Sequence, residues 1–317
     1  MVIVTPALRA ANNGNWTTAW RWQRHLAERF NARIVAAWPD AQAAGDQVMI
    51  ALHARRSAAS IAAWAAAHPG RGLAVTLTGT DLYRDIQFDA AAQHSLQLAQ
   101  ILITLQEKAP QALPAAVRGK ARVIYQSTSS RQTLEKSDRH LRALMVGHLR
   151  EEKSPETLFA AARLLAGRRD IQIDHIGAGL DPALAEAAQA TMAAAPSYRW
   201  LGGLPHETVR RRIQRAHVLI HASRMEGGAH VIIEAIVSGT PVLAARVDGN
   251  VGMLGKDYAG YFAWNDAPGL AGLLLRCRRD AGFLRRLLAQ CRLRAPLFDP
   301  ATERSALERV VNDLLEC

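Results

Sequence analysis

Short apolar runs alternate with amphipathic stretches along almost the whole chain. Strands of a parallel sheet are buried on both faces, so they read as continuous apolar runs. The runs that we predict to be strands are 2–5, 33–38, 47–53, 73–78, 101–105, 122–126, 141–147, 170–177, 198–202, 217–223 and 241–247. Helical periodicity fills the intervals between them, which predicts an α/β protein with parallel sheets.

One polar stretch, STSSRQTLEKSDRH at 127–140, interrupts this alternation and is predicted to be a linker. We therefore predict an N-terminal Rossmann-like domain over 1–138 and a second one over 139–298. The stretch 299–317 is predicted to form a terminal helix that packs back on the first domain. In the first long helical stretch, Trp16, Trp20 and Leu26 lie near helical spacing, and the tryptophans are interpreted as core residues rather than a ligand platform.

Composition narrows the function classes. The chain has 317 residues, of which 49% are hydrophobic, and no apolar run approaches the roughly 20 residues that cross a bilayer. The N-terminus lacks the layout of a signal peptide, so we expect a cytoplasmic protein without a membrane partner. The cysteines are odd in number and confined to the C-terminal part, which favours buried or free thiols over disulfides or a zinc site.

The net charge of +11 comes almost entirely from arginine, because the chain has only five lysines. The arginines are scattered along helical stretches, without interleaved aromatic residues or zinc-knuckle spacing. This pattern favours solvated helix faces, or attraction of small anionic substrates, over nucleic-acid binding. The oligomeric state is left open.

Polar and glycine-rich loops follow most of the predicted strands. In open parallel sheets, ligands bind beyond the carboxyl ends of the strands. The loops are ANNGN (11–15), HARRS (53–57), GTDLYRD (79–85), HLREEKS (148–154), GAG (177–179), GGLPH (202–206), SRMEGG (223–228) and VDGN (247–250). GAG lacks the third glycine of a dinucleotide fingerprint, and the chain has no Asp-X-Asp, the simplest signal for a metal that holds a diphosphate.

The segment SRMEGGAHVIIEAIVSGTPVL raises the most specific question, because Glu234 lies among apolar residues. We predict a helix here that ends near Gly239 and is followed by the stop signal Pro241. Gly227 and Gly228 permit close backbone approach, and the start of the helix suits a phosphate. Glu234 would then accept hydrogen bonds from a ribose diol. The alternatives are a salt bridge from Glu234 to an arginine and a favourable Glu226–dipole interaction.

Several motifs together resemble GT-B glycosyltransferases, close to the family 4 group. Glu226 and Glu234 match the E-x7-E pattern, and MVGHLREEKSPETLFAAARLL, HIGAGLDPALAE, YRWLGGLP and GTPVLAARVDGN resemble further family segments. The resemblance implies two Rossmann-like domains whose parallel sheets face an interdomain cleft. It also implies a UDP-sugar as co-substrate, with neither a cofactor nor a metal.

Residue roles follow from this resemblance. It implies that Glu234 holds the ribose, that Glu226 contacts the sugar and that Lys153 contacts the diphosphate. The catalytic set is then Glu226, Lys153 and His148. The donor-binding set is Glu234, Gly227, Gly228, Ala229, His230, Leu204, Gly177 and Arg150. The chain departs from the family pattern at His148, where an arginine is usual, at Ser154, where a glycine is usual, and at Gly228-Ala229.

A narrower combination resembles the selenosugar synthases of selenoneine biosynthesis. The segments are ANNGNW, ALHARRSA, LTGTDLYRDI, VIYQS, VGHLREEK, SRMEGGAHVIIEA and DGNVGMLGKDY. This resemblance implies transfer of a sugar, N-acetylglucosamine, from its UDP donor to selenophosphate. We expect the anionic acceptor to contact the loops after the strands of the first domain. The candidate acceptor residues are Asn12, Asn13, Asn15, Arg55, Arg56, Thr80, Asp81 and Arg84, with Asp81 able to orient an arginine. A hydroxyl-directed GT-B glycosyltransferase, a nucleotide-sugar epimerase and a nucleic-acid-binding module are the alternatives.

Overall fold

The computed structural model describes residues 1–8 and 14–316, which form two compact units. Unit 1 comprises Met1–Ser127, Glu226–Gly228 and Asp299–Cys317, and unit 2 comprises Thr128–Met225 and Ala229–Phe298. Residues 124–137 contain neither helix nor strand and include most of the predicted linker at 127–140, whereas residues 124–126 were predicted to end a strand. The predicted terminal segment 299–317 falls within unit 1. None of the helices in the described ranges is long and apolar enough to span a membrane.

Unit 1 is built on a six-stranded parallel sheet with the order β2-β1-β3-β4-β5-β6. Its strands are β1 (Val2–Val4), β2 (Arg33–Val35), β3 (Met49–Leu52), β4 (Leu73–Thr76), β5 (Ile101–Thr104) and β6 (Ala121–Val123). Its helices are α1 (Gly14–Leu26), α2 (Ala58–Ala67), α3 (Ile86–Phe88), α4 (Ala90–Leu98), α5 (Ala115–Arg118) and the C-terminal α13 (Pro300–Glu316). Every predicted strand of this half is present, but several are shorter than predicted.

The sheet of unit 1 has an apolar core on each face. Val2 and Val4 pack on one side with Ile61 and Trp64 of α2. Ile3, between them in sequence, packs on the other side with α1 and α13. Because successive side chains of a strand point to opposite faces, burial on both sides explains the continuous apolar runs.

The tryptophans of α1 do not follow the predicted arrangement. Trp22 is fully buried, whereas Trp20 is 46% exposed and lies under the guanidinium of Arg24. The interpretation of Trp20 as a core residue is therefore wrong. The core face of α1 is defined by Ala19, Trp22 and Leu26, whose spacing also fits a helix.

A buried carboxylate fastens α13 to α1. Glu303, which is 1% exposed, accepts hydrogen bonds from Arg21 Nε (3.0 Å) and Trp22 Nε1 (2.6 Å). The Ser127 backbone N–H and hydroxyl also donate to it, and His25 Nε2 lies 3.3 Å away. These bonds lower the pKa of Glu303 to about 2, against the effect of burial, which alone would raise it. The carboxylate is thus ionised and fully partnered.

Unit 2 contains a second six-stranded parallel sheet with the order β12-β11-β10-β7-β8-β9. Its strands are β7 (Leu141–Val146), β8 (Ile171–Ile176), β9 (Tyr198–Trp200), β10 (Val218–His221), β11 (Val242–Ala245) and β12 (Tyr261–Phe262). Its helices are α6 (Pro155–Leu164), α7 (Pro182–Ala194), α8 (His206–Arg215), α9 (His230–Val237), α10 (Asp248–Leu254), α11 (Ala267–Arg279) and α12 (Ala281–Arg294). All predicted strands of this half are present, and the two-residue β12 is an addition.

Helix packing in unit 2 follows the two faces of a doubly wound sheet. The helix α6 packs against α7 and α11, while α9 packs against α8 and α12. Asp181, Asp266 and Asp280 cap the starts of α7, α11 and α12, as acidic residues do at helix N-termini. Cys277 and Cys291 are buried free thiols, as predicted. Cys317 lies outside the described residues.

Candidate functional site

The strand order of unit 2 reverses between β7 and β10. Strands added after β7 continue through β8 and β9 on one side, whereas β10 starts the other side. Loops that leave the sheet at such a reversal diverge and open a crevice, which is the usual ligand position in this kind of fold. The segments of unit 2 concerned are 147–154, 222–225 and Ala229, which is the N-cap of α9. They contain His148, Arg150, Lys153 and Ala229 of the predicted catalytic and donor-binding sets.

Glu234 is 4% exposed on α9, and three groups of unit 2 approach the same oxygen, Oε1. His206 Nε2 lies 2.6 Å from it, Arg210 Nη1 3.4 Å and His230 Nδ1 3.5 Å. His206 and Arg210 are one turn apart on α8, so a single helix face supplies two of the three partners. The carboxylate therefore has protein partners, including the arginine that the sequence left as an alternative.

The electrostatic balance at Glu234 favours the ionised carboxylate. Burial alone would raise its pKa, but the hydrogen bonds and charges of His206 and His230 hold the pKa well below its usual range. The same hydrogen bond raises the pKa of His206. Arg210 is 1% exposed, and burial lowers its pKa against the attraction of Glu234. Arg210 also donates to Thr128 Oγ1 and Ser129 O, both at 2.9 Å.

The helix α9 begins without a side-chain cap. Its N-cap residue is Ala229, whose methyl group accepts no hydrogen bond. The first backbone N–H groups of a helix have no partner within the helix, and the positive end of its dipole lies there. Gly239, at φ +70°, follows the helix and Pro241 comes after it, which confirms the predicted end. The start of α9 can therefore receive an anion.

The loop after β7 carries His148, Arg150 and Lys153. The backbone N–H of Ala178 donates to His148 Nδ1 at 3.0 Å. An N–H can only donate, so Nδ1 bears no proton and the ring is neutral with its proton on Nε2. Burial and the neighbouring Arg150 and Lys153 also lower the pKa of His148. At position 148, where an arginine is usual in the GT-B glycosyltransferases that the sequence resembles, this chain therefore has a neutral side chain that can donate through Nε2–H.

Lys153 and Ser154 close that loop. The stem of Lys153 packs over Gly147, where a Cβ would lie 3.5 Å from both Cγ and Cδ of the lysine. Ser154 adopts a left-handed conformation with φ 45° and ψ 53°, which explains why glycine is the family residue at this position. Its hydroxyl accepts a hydrogen bond from Trp264 Nε1 at 3.1 Å. The exposed Arg150 precedes the 3₁₀ turn that contains Lys153.

Gly177 and Leu204 follow the next two strands of this sheet. A Cβ at Gly177 would collide with the carbonyl of Gly147 and the Cα of His148, so the loops after β7 and β8 approach one another only because this residue is glycine. Leu204 is half-buried between β9 and α8, two residues before His206.

Glu226, Gly227 and Gly228 belong to unit 1. A Cβ at Gly227 would lie 2.5 Å from the carbonyl of Thr78, and one at Gly228 would lie 2.7 Å from Leu105 Cβ. Both glycines therefore permit the close approach that their type predicts. The groups that approach them are Thr78 and Leu105 of the protein. Glu226 is half-buried.

In unit 1, Arg55 and Arg84 share one carboxylate. Arg55 Nε donates to Asp85 Oδ2 at 2.9 Å and Arg84 Nε donates to Asp85 Oδ1 at 3.2 Å. Burial would raise the pKa of Asp85, but the two arginines lower it overall. The structure thus brings together two of the three predicted acceptor arginines. Asp85 was not singled out from the sequence, although it follows Arg84 directly.

Asp81 has a different role from the predicted one. It is fully buried, and its carboxylate accepts from the backbone N–H groups of Ala54, Thr78 and Gly79 at 2.8 to 3.0 Å. The prediction that Asp81 orients an arginine is wrong, because its oxygens are used to fix the loop backbone. Thr80 Oγ1 lies 3.2 Å from Nε2 of His53, whose pKa is lowered chiefly by burial.

The remaining acceptor candidates are Arg56, Asn15, Asn12 and Asn13. Arg56 is exposed, and its side chain makes no hydrogen bond within residues 1–8 and 14–316. Asn15 is half-buried near the start of α1. Asn12 and Asn13 lie outside the described residues. The described part of the chain shows no group of three or more His, Cys, Asp or Glu side chains placed to hold a metal, and the expectation of metal-free transfer stays a prediction.

Comparisons with known proteins agree with this architecture. Residues 126–272 match the family model described as glycosyl transferases group 1. No curated protein matches the chain significantly in sequence. The matched range begins at the linker and covers most of unit 2.

Solved structures share the fold over most of this chain. HepE from Anabaena, in complex with UDP and glucose, has a TM-score of 0.72 and 15% identity over 92% of this chain and 89% of its own. The pneumococcal O-GlcNAc transferase GtfA, in complex with UDP and GlcNAc, has a TM-score of 0.67 and 16% identity, over 86% of this chain and 58% of its own. TarM from S. aureus, with UDP among its ligands, has a TM-score of 0.65 and 11% identity, over 84% of this chain and 56% of its own. The chain spans less than two thirds of GtfA and TarM. It has the GT-B fold, with two parallel six-stranded sheets.

Proposed function

We propose that this chain, which carries a glycosyl transferases group 1 domain on a GT-B fold, transfers a sugar from a UDP-sugar to selenophosphate. The sugar that we expect is N-acetylglucosamine, and the product is a 1-selenosugar, as in selenoneine biosynthesis. The observation that carries the donor half is Glu234, a buried and ionised carboxylate on a helix whose start has no side-chain cap.

The donor half is supported by the arrangement at the β7–β10 reversal. All three protein groups approach Oε1 of Glu234, so Oε2 is the oxygen toward which we place the ribose hydroxyls. The start of α9, at Ala229 and His230, and the loop with Arg150 and Lys153 supply positive charge for the diphosphate. We assign the base to the backbone near Leu204 and the sugar to Glu226. UDP in the HepE, GtfA and TarM structures favours the same nucleotide here.

In the proposed reaction, a selenium lone pair of selenophosphate forms the bond to C1 of the sugar. The C1–O bond breaks, and its electron pair leaves with UDP. Because the selenium is already ionised, the nucleophile needs no general base, and catalysis consists of positioning and stabilising the leaving diphosphate. Water then cleaves the Se–P bond, releasing phosphate and the selenosugar. His148, as a neutral Nε2–H donor, would stabilise the leaving oxygen through a hydrogen bond.

The acceptor half rests on the resemblance to selenosugar synthases and on the arginines of unit 1. Selenophosphate is a small and highly charged anion, so its site needs cationic donors rather than a base. Arg55 and Arg84 meet this need, since each side chain is more than two-fifths exposed although it is held by Asp85. Asn15 lies in the first turn of α1, Arg56 lies in the turn after β3, and Thr80 precedes the turn Asp81–Asp85 that follows β4.

An acceptor panel tests this proposal. The protein is incubated with UDP-N-acetylglucosamine and, separately, selenophosphate, thiophosphate, simple alcohols or buffer alone, and UDP release is measured. We expect UDP release with selenophosphate and little with alcohols. Turnover of alcohols without turnover of selenophosphate would instead identify a hydroxyl-directed glycosyltransferase, and donor conversion without acceptor would identify an epimerase.

A variant comparison assigns the acceptor side. Arg55→Ala and Arg84→Ala should raise KM for selenophosphate about ten-fold, the effect of losing one charge-assisted contact of ~1.4 kcal/mol, with little change in KM for the UDP-sugar. Arg118→Ala is the matched control, because Arg118 lies in unit 1 and its guanidinium donates to the backbone carbonyls of Gln111 and Leu113. Equal KM values for selenophosphate in all these proteins would remove Arg55 and Arg84 from the site.

A further inference from the structure

Asp85 lies between the side chains of Arg55 and Arg84, and it is only 6% exposed. We infer that Asp85 is a positioning residue that holds the two arginines as a fork for a small tetrahedral oxyanion. The inference deepens the proposed function, on which the identification of that anion as selenophosphate rests. Nothing in the sequence pattern assigns a role to Asp85.

Each arginine uses only part of its guanidinium on this carboxylate. Both Arg55 and Arg84 donate through Nε, and the Nη atoms make no hydrogen bond to any other described residue. An arginine offers paired N–H groups that match the oxygens of a phosphate-like anion. One buried carboxylate therefore orients two guanidinium groups and leaves their outer N–H groups available for a ligand.

The backbone beneath Asp85 is fixed. Asp85 ends a short π-helical turn, Asp81–Asp85, a structure often found at functional sites. The start of that turn is tied down by the buried Asp81, and the Asp85 carbonyl accepts from Asp89 N at 2.8 Å. His53 Nε2 lies 3.9 Å from Asp85 Oδ2. A fixed carboxylate restricts the long arginine side chains before an anion arrives, which lowers the entropy cost of binding.

The change in anion affinity when Asp85 loses its charge has opposite signs for a positioning role and for a purely electrostatic one. Asp85 is negatively charged and close to the proposed anion, so Coulomb's law alone predicts that removing its charge strengthens anion binding. If Asp85 instead fixes the fork, its neutralisation releases the arginines and weakens binding. Asn can accept from Arg55 or Arg84 through a single oxygen only, so at least one arginine loses its anchor.

The test measures the binding of inorganic phosphate to the full chain, either by titration calorimetry or by ³¹P NMR. For Asp85→Asn we expect the phosphate Kd to rise about five-fold, equivalent to ~1 kcal/mol. Asp40→Asn is the control, because Asp40 is also an arginine-paired aspartate of unit 1, bonded to Arg33 at 2.6 Å. Phosphate binding by Asp85→Asn that equals or exceeds wild-type binding would overturn the inference.

Arg84→Lys guards against misfolding of the first variant. Arg84 is exposed, and lysine keeps the charge but lacks the fork, so phosphate affinity should fall while the melting temperature stays unchanged. Wild-type affinity in this variant would also overturn the inference. With selenophosphate as substrate, Asp85→Asn should raise KM for selenophosphate and leave KM for the UDP-sugar unchanged. Phosphate binding that depends on Asp85, without turnover of selenophosphate, would support the fork and contradict the selenophosphate assignment. Absence of phosphate binding in the wild type would refute the fork itself.

Discussion

Replacement of Glu234 by glutamine tests the donor site most sharply. Glutamine keeps the size of the side chain but removes its charge. Hydrogen bonds to a charged group contribute about 1.5–3 kcal/mol and neutral ones about 0.5–1.5 kcal/mol. Each ribose hydroxyl should therefore lose about 1–1.5 kcal/mol, and two hydroxyls about 2–3 kcal/mol. The expected loss of UDP affinity is about thirty- to 150-fold.

The free energy of unfolding should fall in the same variant, because Glu234 also pairs with His206, Arg210 and His230 of the protein. Arg210 is 1% exposed and loses the charge of its partner, although its bonds to Thr128 and Ser129 remain. We expect a loss of about 1–3 kcal/mol in the free energy of unfolding, the usual cost of a weakened buried polar contact. Chemical denaturation measures this loss and defines a temperature at which the variant is fully folded for binding assays.

The assay compares UDP with 2′,3′-dideoxy-UDP by calorimetry on the wild type and on Glu234→Gln. The wild type should prefer UDP strongly, and the variant should lose most of this preference, because the diol and the carboxylate form one interaction. Glu207→Gln is the control, since Glu207 is an exposed residue of the same unit that pairs with Arg131. If Glu234→Gln discriminates between the two ligands as well as the wild type does, the ribose assignment is refuted.

Three further predictions concern stability. Glu303→Gln should lower the free energy of unfolding by about 3–5 kcal/mol, the usual cost of breaking a buried charge network. Chemical denaturation should show a loss of less than about 1 kcal/mol for the control Glu28→Gln, because Glu28 is exposed and pairs with Arg304. Equal losses in the two variants would contradict the argument. Gly177→Ala should cost about 1–3 kcal/mol because its Cβ meets backbone, and a neutral result in thermal unfolding would exclude that clash. For His206, whose folded-state pKa is raised by Glu234, the pair stabilises the protein fully below the unfolded pKa of about 6.5 and less as pH rises through the folded value. The stability difference between wild type and His206→Asn should therefore shrink from pH 6 to pH 9, and a constant difference would refute the ion pair.

Much of the fold follows from the sequence because both sheets are buried on both faces. Burial turns each strand into an apolar run, and the loops between the runs carry their own polar signals. The edge strand β12 escaped prediction because two residues, Tyr261 and Phe262, are too short a run to show any pattern. Trp20 was misplaced because Trp16 and Trp20, four residues apart, share a helix face, but that face is not the one that packs on the core. The core face is formed by Ala19, Trp22 and Leu26, at spacings of three and four residues.

The side chains around the candidate sites were harder to predict than the strands. The Glu234 motif was visible locally, but His206 and Arg210 lie more than twenty residues away, and only the packing of α8 against α9 brings them to the carboxylate. The HETVR sequence, with a histidine and an arginine at i and i+4, was the available signal. Asp81 and Asp85 are equivalent in sequence terms, and only the fold decides which one fixes backbone and which one holds arginines.

The fate of selenium during the reaction tests the central claim most directly. UDP-N-acetylglucosamine labelled with ¹³C at C1 is incubated with the enzyme and ⁷⁷Se-labelled selenophosphate, and the products are examined by NMR and mass spectrometry. The account predicts UDP release together with a sugar whose C1 shows direct ¹³C–⁷⁷Se coupling and whose mass includes selenium. Release of UDP, or of free sugar, with no selenium attached to C1 would contradict it.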